Sequence, residues 1–417
     1  MTDDGIKTCL YPITHHLSPI TVFMDRFIEE TPFFTAEHVR LAASVAGFVW
    51  REIAPRANAE EETDEQKSDE QFRGLVSLLA QAELLRYAVA KPNAPFDVRA
   101  LCLIREELAY VSPLADLAFV MQGLGTHALT LAAPEHVRDF WLARAAEGRA
   151  IAAFALTEPE AGSDMAAIQT TARRDGDSYL LDGRKRFISN AGLADFYTVF
   201  ARTGSRPDGR AEISAFVVSA RMSGFVVCER TRLISPHPIG EIEFKALRVP
   251  AEDRVGAEGE GYRLAISTLN TFRASVGAAA CGMARRALDE SIAYAKRRRQ
   301  FGQPLAAHAL IQEKFADMSA ELDAARLLVY RAAFLRDTYG TENAAASMLS
   351  RAASTAKLYA TEAAGRIIDQ ALQIHGGAGL VHGHLIERLY RDIRALRIYE
   401  GTSEIQKLVI ARELLKE

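Results

Sequence analysis

Cysteine is scarce in this chain. Four occur among 417 residues, at Cys9, Cys102, Cys228 and Cys281, with no Cys-x-x-Cys pair and no histidine at zinc-ligand spacing beside them. That argues against a disulfide-stapled scaffold and a zinc module, and predicts buried free thiols in a reducing cytoplasm. Long apolar runs are missing too: nothing reaches the roughly 18 residues that a membrane span requires. The first 17 residues carry Asp3, Asp4 and Lys7 without an apolar stretch of signal-peptide length. Neither charge sign dominates, with 50 Lys and Arg against 54 Asp and Glu, a net of -4. Such a chain exerts no long-range pull on nucleic acid or an anionic membrane, so the expected partner is a small molecule or another protein. Fixed-period repeats and low-complexity tracts are absent.

What is present is ordinary for a soluble globular protein, 49% hydrophobic and 25% charged. The length exceeds what one simple core organises, and two or three packed subdomains are expected. Apolar residues recur at helical spacing after Thr35, a fitting N-cap, through Val39, Ala42, Ala46, Val49, Trp50 and Ile53. The acidic stretch 60–70 reads as a solvated loop or frayed helix end. From Ile151 the texture changes to short β-like runs bounded by Asp175-Gly176, Asp182-Gly183 and Pro207-Asp208-Gly209. Their turn spacing predicts a small antiparallel barrel or sandwich rather than βαβ units. Beyond the glycine-rich loop 256–261, Ala- and Leu-rich helices are predicted over 262–299, 312–339, 344–375 and 403–415. The expected fold is α+β: a helical domain over 1–148, a β-domain over 149–255 and a C-terminal four-helix bundle over 256–417.

Five segments hold residues suited to chemistry, and each has a plain structural reading beside the functional one. In 154–164, Thr157, Glu158, Pro159, Gly162 and Ser163 make either a Pro/Gly turn or a loop whose small and hydroxylated residues approach a ligand closely. Phe187 and Ser189 end a β-run, either as buried strand or as an aromatic beside a planar ring with a hydroxyl at its edge. The basic run 296–299 either complements a helix C-terminus or offers Arg298 to a phosphate. Gln373 to Gly379 superficially resembles a nucleotide loop, but it follows a helix and lacks βαβ context, so a Rossmann site is not expected. A glycine-rich helix stop explains it equally well. Finally, Ser403 and Gln406 fit a Ser-x-x-Gln capping box. Capping does not explain Glu400, a carboxylate between Tyr399 and Gly401 whose burial would raise its pKa.

Taken together, in order and at these separations, the five segments resemble the acyl-CoA dehydrogenase family from about residue 35 to the last residue. The stretches FALTEPEAGSD and RIYEGTSEIQKLVIARE are the most diagnostic. The resemblance implies FAD as cofactor and the family's three-domain fold. It implies FAD contacts from Phe154, Leu156, Thr157 and Ser163 in the first loop, Phe187 and Ser189 at the isoalloxazine ring, and Thr402, Ser403 and Glu404 near the C-terminus. Many members carry Trp and Thr where Phe187 and Ser189 stand. Arg298, Gln300 and Phe301, with Gln373, Gly376 and Gly377, would contact FAD from a neighbouring subunit of a homotetramer arranged as a dimer of dimers. Ser163, Asn270, Arg273, Tyr399 and Gly401 would meet the acyl thioester, and Glu400 would be the catalytic base.

The implied reaction is α,β-dehydrogenation of an acyl thioester to the trans-2-enoyl thioester. Glu400 removes the α-proton while hydride leaves the β-carbon for flavin N5, and an electron-transferring flavoprotein takes the electrons. Some members place the base just before the position of Arg273; here that residue is Phe272, which cannot abstract a proton. Two departures from the family pattern matter, the first for an FAD contact and the second for the substrate. Ala309 stands where a Gln is usual, and Asn270 stands where a carboxylate is common, which leaves an acyl-carrier-protein thioester open beside acyl-CoA. An oxidase using O2 and a non-catalytic flavoprotein scaffold are the alternatives on the same fold. No metal, nucleic acid or membrane enters any of these readings.

Overall fold

The computed structural model describes residues 26–57, 64–205, 209–340 and 343–416. Cys9, the leading segment, positions 60–63 of the acidic stretch and the expected Pro207-Asp208 turn lie outside the described residues. Six helices open the fold: α1 (Arg26–Glu30), α2 (Ala36–Phe48), α3 (Glu65–Gln81), α4 (Val98–Val111), α5 (Pro113–Ala132) and α6 (Glu135–Ala146). Thr35 caps α2 as expected, its N–H donating to His38 Nδ1 at 3.1 Å. Within the acidic stretch Asp64 caps α3 by accepting from the Lys67 N–H at 3.0 Å. Acidic residues in a first turn suit the positive end of the helix dipole, so 65–70 is helix rather than loop. Ser112 caps α5 with Pro113 at the first helical position, and α5 is buried along most of its length.

The middle of the chain forms one eight-stranded sheet from β1 (Ala152–Ala155), β2 (Thr171–Asp175), β3 (Ser178–Ser189), β4 (Phe196–Ser205), β5 (Ala211–Ser219), β6 (Phe225–Arg230), β7 (Ile239–Pro250) and β8 (Arg254–Val255). The order is β6-β7-β3-β2-β4-β5-β8, with β1 also beside β4. Most pairings are antiparallel as expected, but β1 and β2 both run parallel to β4, a correction to an all-antiparallel sheet. The sheet curls strongly. Tyr179 on β3 touches Phe216 on β5 (ring centroids 5.0 Å), and Tyr197 on β4 touches Phe225 on β6 (4.8 Å), although neither pair is adjacent in the sheet. Those rings fill the concave side and join the core of the N-terminal helices.

The C-terminal part is built on α7 (Gly261–Arg297), a two-stranded hairpin β9 (Arg299–Gln300) and β10 (Gln303–Pro304), α8 (Ala309–Tyr339), α9 (Ala346–His375), α10 (Leu385–Leu396) and α11 (Ser403–Leu414). The four predicted helices are present within three residues at each end; α10 is additional. Alanine packs α7 against α9, and Gly282 lets α4 touch α7 directly, since a Cβ there would lie 2.1 Å from the Glu106 carbonyl oxygen. That close approach fixes α4 beside α7 at the level of the site below. Among the described residues no helix is long and apolar enough to cross a membrane, and no cluster of three His, Cys, Asp or Glu could hold a metal.

Candidate active site

Between α10 and α11 the chain turns through Glu400 at φ +53° and Gly401 at φ +95°. The left-handed region costs a non-glycine residue roughly 1–2 kcal/mol, so Glu400 must be held there by its surroundings. Three side chains do so. Gln406 Nε2 donates to the Glu400 and Gly401 carbonyls at 3.1 and 3.0 Å, Lys357 Nζ donates to the Gly401 carbonyl at 2.8 Å, and Arg273 Nε reaches the Glu400 carbonyl at 3.4 Å. Gly401 itself is required, because a Cβ would lie 2.6 Å from Gln406 Nε2. The expected Ser403–Gln406 capping box is not what forms. Thr402 is the N-cap of α11, accepting from the Ile405 N–H at 3.4 Å, while Ser403 Oγ donates to Glu362 Oε1 at 2.5 Å. Gln406 is turned back to brace the loop.

The Glu400 carboxylate faces inward. Its Oε2 is cut off from solvent and has no hydrogen-bond partner. Burial raises its pKa; Arg105, Lys357 and Arg273 oppose that rise, and Asp116 adds to it. Beneath Tyr399 lies an ion pair from the N-terminal domain: Arg105 Nε and Nη2 donate to Asp116 at 2.8 and 2.7 Å, and its Nη1 donates to Ser275 Oγ on α7 at 2.9 Å. Arg105 also hydrogen-bonds Tyr399, whose hydroxyl burial pushes well above its ordinary value. Lys357 is fully buried, and burial lowers its pKa to about 8. Asn270 Oδ1 accepts from Arg273 Nη1 at 2.6 Å, so the uncharged residue orients the arginine without neutralising it. Phe272, fully buried against Gly123, offers no acid or base.

A second group of predicted residues meets where β1 and β3 end. The Arg186 N–H donates to the Thr157 carbonyl at 2.9 Å, which sets the 154–164 loop beside Phe187 and Ser189. Beneath them Lys185 Nζ bonds Glu158 Oε1 at 2.7 Å and the Leu156 carbonyl at 3.1 Å, both side chains buried. Glu158 in turn accepts from the Thr170 N–H at 3.0 Å, which closes the loop. Lys185→Met leaves that carboxylate buried without its cation and is expected to destabilise the protein by about 3–5 kcal/mol, read as a lower urea midpoint at unchanged slope. Above this anchor Phe187 sits at φ +55° and is 49% exposed, flanked by the partly exposed Thr157 and Ser189. Phe154 and Leu156 line the same strand end, Leu156 buried and Phe154 half-buried. An uncovered aromatic in a strained conformation, with hydroxyls at its rim, is what a flat heteroaromatic ring would cover, so these residues fit a flavin.

Ser163 from the 154–164 loop shares a cleft of about 830 Å3 with Asn270 and Arg273, lined further by Tyr262, Ile405 and Arg412. Glu404 is exposed on the first turn of α11. The remaining predicted residues lie elsewhere. Arg298 stands 25 positions beyond Arg273 along one helix, roughly 37 Å at 1.5 Å per residue, and Gln373 stands 16 positions beyond Lys357, roughly 24 Å. These two far ends meet each other: Tyr294 and His375 stack with centroids 4.4 Å apart. Phe301 there is 93% exposed at φ +50°, and Gly376 at φ +58° ends α9 as the helix-stop reading predicts. The predicted site residues therefore fall at two separate places on one chain.

Several contributors were not read from the sequence: Lys357, Arg105 with Asp116, and the bracing role of Gln406. Lys357 left a trace, a lone cation among Ala353, Ala356 and Ala360 on the apolar stripe of α9. Gln406 was visible only as a cap, and Arg105 with Asp116 only as ordinary helix charges.

Comparison with known proteins agrees over most of the chain. Models of the acyl-CoA dehydrogenase N-terminal, middle and C-terminal domains match residues 35–149, 153–247 and 259–415. A 3-(aryl)acrylate reductase of Clostridium sporogenes is 38% identical over 92% of this chain and 100% of its own length. An acyl-CoA dehydrogenase of Bacillus subtilis is 37% identical over 91% of this chain and 98% of its own. Among solved structures, an acyl-CoA dehydrogenase complexed with FAD from Bacillus anthracis superposes with a TM-score of 0.84 at 31% identity, covering 92% of this chain and 68% of that one. With three domain models in sequence and full-length relatives at this identity, the chain belongs to the acyl-CoA dehydrogenase family.

Proposed function

We propose that this chain is an FAD-dependent acyl-CoA dehydrogenase in which Glu400 is the base that takes the α-proton of an acyl thioester. The observation that carries the assignment is the Glu400 carboxylate itself: inward-facing, unpartnered at Oε2, and fixed on a strained loop by three side chains. FAD supplies the hydride acceptor that no side chain can provide. The protein's part is to place and polarise the substrate. The Glu400 backbone N–H donates to no backbone carbonyl among the described residues, which suits it to the thioester carbonyl oxygen, where negative charge gathers as the α-proton leaves. Arg273 and Lys357 add positive potential beside it, in a setting where burial strengthens each interaction. The same carboxyl, once protonated, returns the proton in the reverse direction, and the similarity to an acrylate reductase makes that direction a second reading of the same site.

Ser163, Asn270, Arg273, Tyr399 and Gly401 are the substrate contacts we infer, and Phe154, Leu156, Thr157, Ser163, Phe187, Ser189, Thr402, Ser403 and Glu404 the FAD contacts within the chain. Arg298, Gln300, Phe301, Gln373, Gly376 and Gly377 would serve the FAD of a neighbouring subunit in a homotetramer, which accounts for their distance from Glu400. An electron-transferring flavoprotein in the cytoplasm is the acceptor this reading carries. The uncharged Asn270 in the cleft keeps a carrier-protein thioester beside CoA as substrate. The test is anaerobic mixing with a panel of acyl-CoA and acyl-carrier thioesters while the oxidised flavin band is followed. Bleaching by at least one saturated thioester is expected; no bleaching by either class would overturn the assignment.

Burial of Glu400 also has a thermodynamic signature. Its folded pKa is raised, so the fold prefers the protonated form. Below the ordinary carboxylate pKa both folded and unfolded states are protonated and nothing is lost; above it, ionisation costs the folded state progressively more. Glu400→Gln is therefore expected to raise the melting temperature of the FAD-loaded protein at pH 8 and to leave it unchanged near pH 4. An equal rise at both pH values would assign the effect to packing instead.

A further inference from the structure

The loop between β6 and β7 carries His237, and His237 Nε2 lies 2.8 Å from Ser189 Oγ. The loop is well anchored. Its Pro238 carbonyl accepts from the Asn190 N–H at 2.7 Å, the Thr231 N–H donates to the Ile239 carbonyl at 2.8 Å, and Arg391 on α10 reaches the Ile234 carbonyl at 2.8 Å. His237 is half-buried and keeps some accessible surface, so it does not simply fill the core. Burial lowers its pKa to about 4, so the ring is neutral at physiological pH. Nothing in the reaction described above uses it.

We propose that His237 is a positioning residue for the flavin, acting through Ser189 by fixing which hydrogen-bonding role the serine hydroxyl presents to the ring edge. This rests on the reading that Ser189 meets the isoalloxazine ring. A serine hydroxyl has one proton to donate and two lone pairs, and left alone it rotates freely between roles. A neutral imidazole nitrogen either donates or accepts. If Nε2 accepts the serine proton the hydroxyl is left to accept from the ring edge, and if Nε2–H donates to it the hydroxyl proton is turned toward the ring; in either tautomer the rotational freedom otherwise lost on binding flavin is already spent in the free protein. Oxidised flavin presents an acceptor at the ring edge that becomes an N–H donor on reduction, so a fixed hydroxyl discriminates between the two oxidation states.

The test is a double-mutant cycle on FAD-loaded protein with Ser189→Ala, His237→Phe and the pair, reading the FAD dissociation constant, the visible spectrum of the oxidised flavin and its midpoint potential. His237→Phe is expected to weaken FAD binding by about 2- to 10-fold, the effect of one neutral hydrogen bond, and to shift spectrum and potential. Adding it to Ser189→Ala should change nothing further, and His237→Gln, whose amide still bonds the hydroxyl, should restore all three. Should phenylalanine prevent folding, His237→Ala takes its place in the cycle. If Ser189→Ala shifts the flavin while the His237 variants match wild type, the proposal falls and the Ser189 reading stands. If Ser189→Ala is itself silent, both fall together.

Discussion

Glu400→Gln is expected to bind FAD as tightly as the parent protein and to bleach it with an acyl thioester about 10^4-fold more slowly, the upper range for loss of a positioned general base. The amide preserves the shape and leaves the carbonyl contacts from Gln406, Lys357 and Arg273 in place, because these grip the backbone and not the carboxylate. No neighbour can substitute. Phe272 is apolar, Asp116 is committed to Arg105 at 2.7 Å, Tyr399 is held protonated by burial, and Lys357 is turned to the Gly401 carbonyl at 2.8 Å. Stopped-flow measurement under anaerobic conditions separates binding, seen as a perturbed flavin band, from proton abstraction, seen as its disappearance. A variant that bleached within tenfold of wild type would remove Glu400 from the reaction. The pH dependence in the parent follows from the same burial: the reduction rate should climb with pH through a value above the ordinary carboxylate range, as Glu400 loses its proton.

Arg298→Ala is expected to weaken FAD binding by about 10- to 100-fold, the worth of a charge-assisted hydrogen bond, although the residue lies roughly 37 Å along α7 from Arg273. On the proposed assignment its effect belongs to the neighbouring subunit. Hybrid oligomers made by co-expressing Arg298→Ala with Glu400→Gln chains, purified through one tag on each and assayed at an FAD concentration too low to load the Arg298→Ala oligomer, should therefore regain activity that neither parent oligomer shows under those conditions. In the hybrid, a site pairing the intact Glu400 of one chain with the intact Arg298 of the other is whole. A hybrid no more active than the average of its parents would place Arg298 in its own subunit's site or in none.

The long helices were legible because Ala- and Leu-rich stretches at helical spacing have no competing β reading, and α9 was expected over 344–375 and found as Ala346–His375. The strands were legible from their turns, but strand direction was not. Parallel pairing of β1 with β4 depends on a connection of some forty residues that leaves no local mark. Helix α10 went unnoticed although Ile386, Leu389, Ile393 and Leu396 keep helical spacing, because it is short and follows directly on the glycine-rich stretch 376–383. Within the site, Glu400 stood out through its own neighbours in sequence. Arg105 and Lys357 did not, since their roles come from residues far along the chain, Ser275 in the first case and Gly401 in the second. Strain supplied a further signal unavailable to sequence: Phe187, Phe301 and Glu400, each nominated from its motif, are three of the seven described non-glycine residues with positive φ.

Helix α7 carries Asn270 and Arg273 near one end and delivers the chain to Arg298 at the other without interruption. If Arg298 serves a neighbouring subunit as proposed, the helix is a ruler between a protomer's own reaction centre and the one it helps to complete. One residue inserted between positions 273 and 298 would turn the far end by about 100° and push it out by about 1.5 Å, aiming the arginine away from its target, whereas four would nearly restore the heading at the cost of about 6 Å. On that proposal a change of length along this stretch should weaken FAD binding in the assembled oligomer, whereas a longer surface loop in the β-domain leaves the spacing untouched.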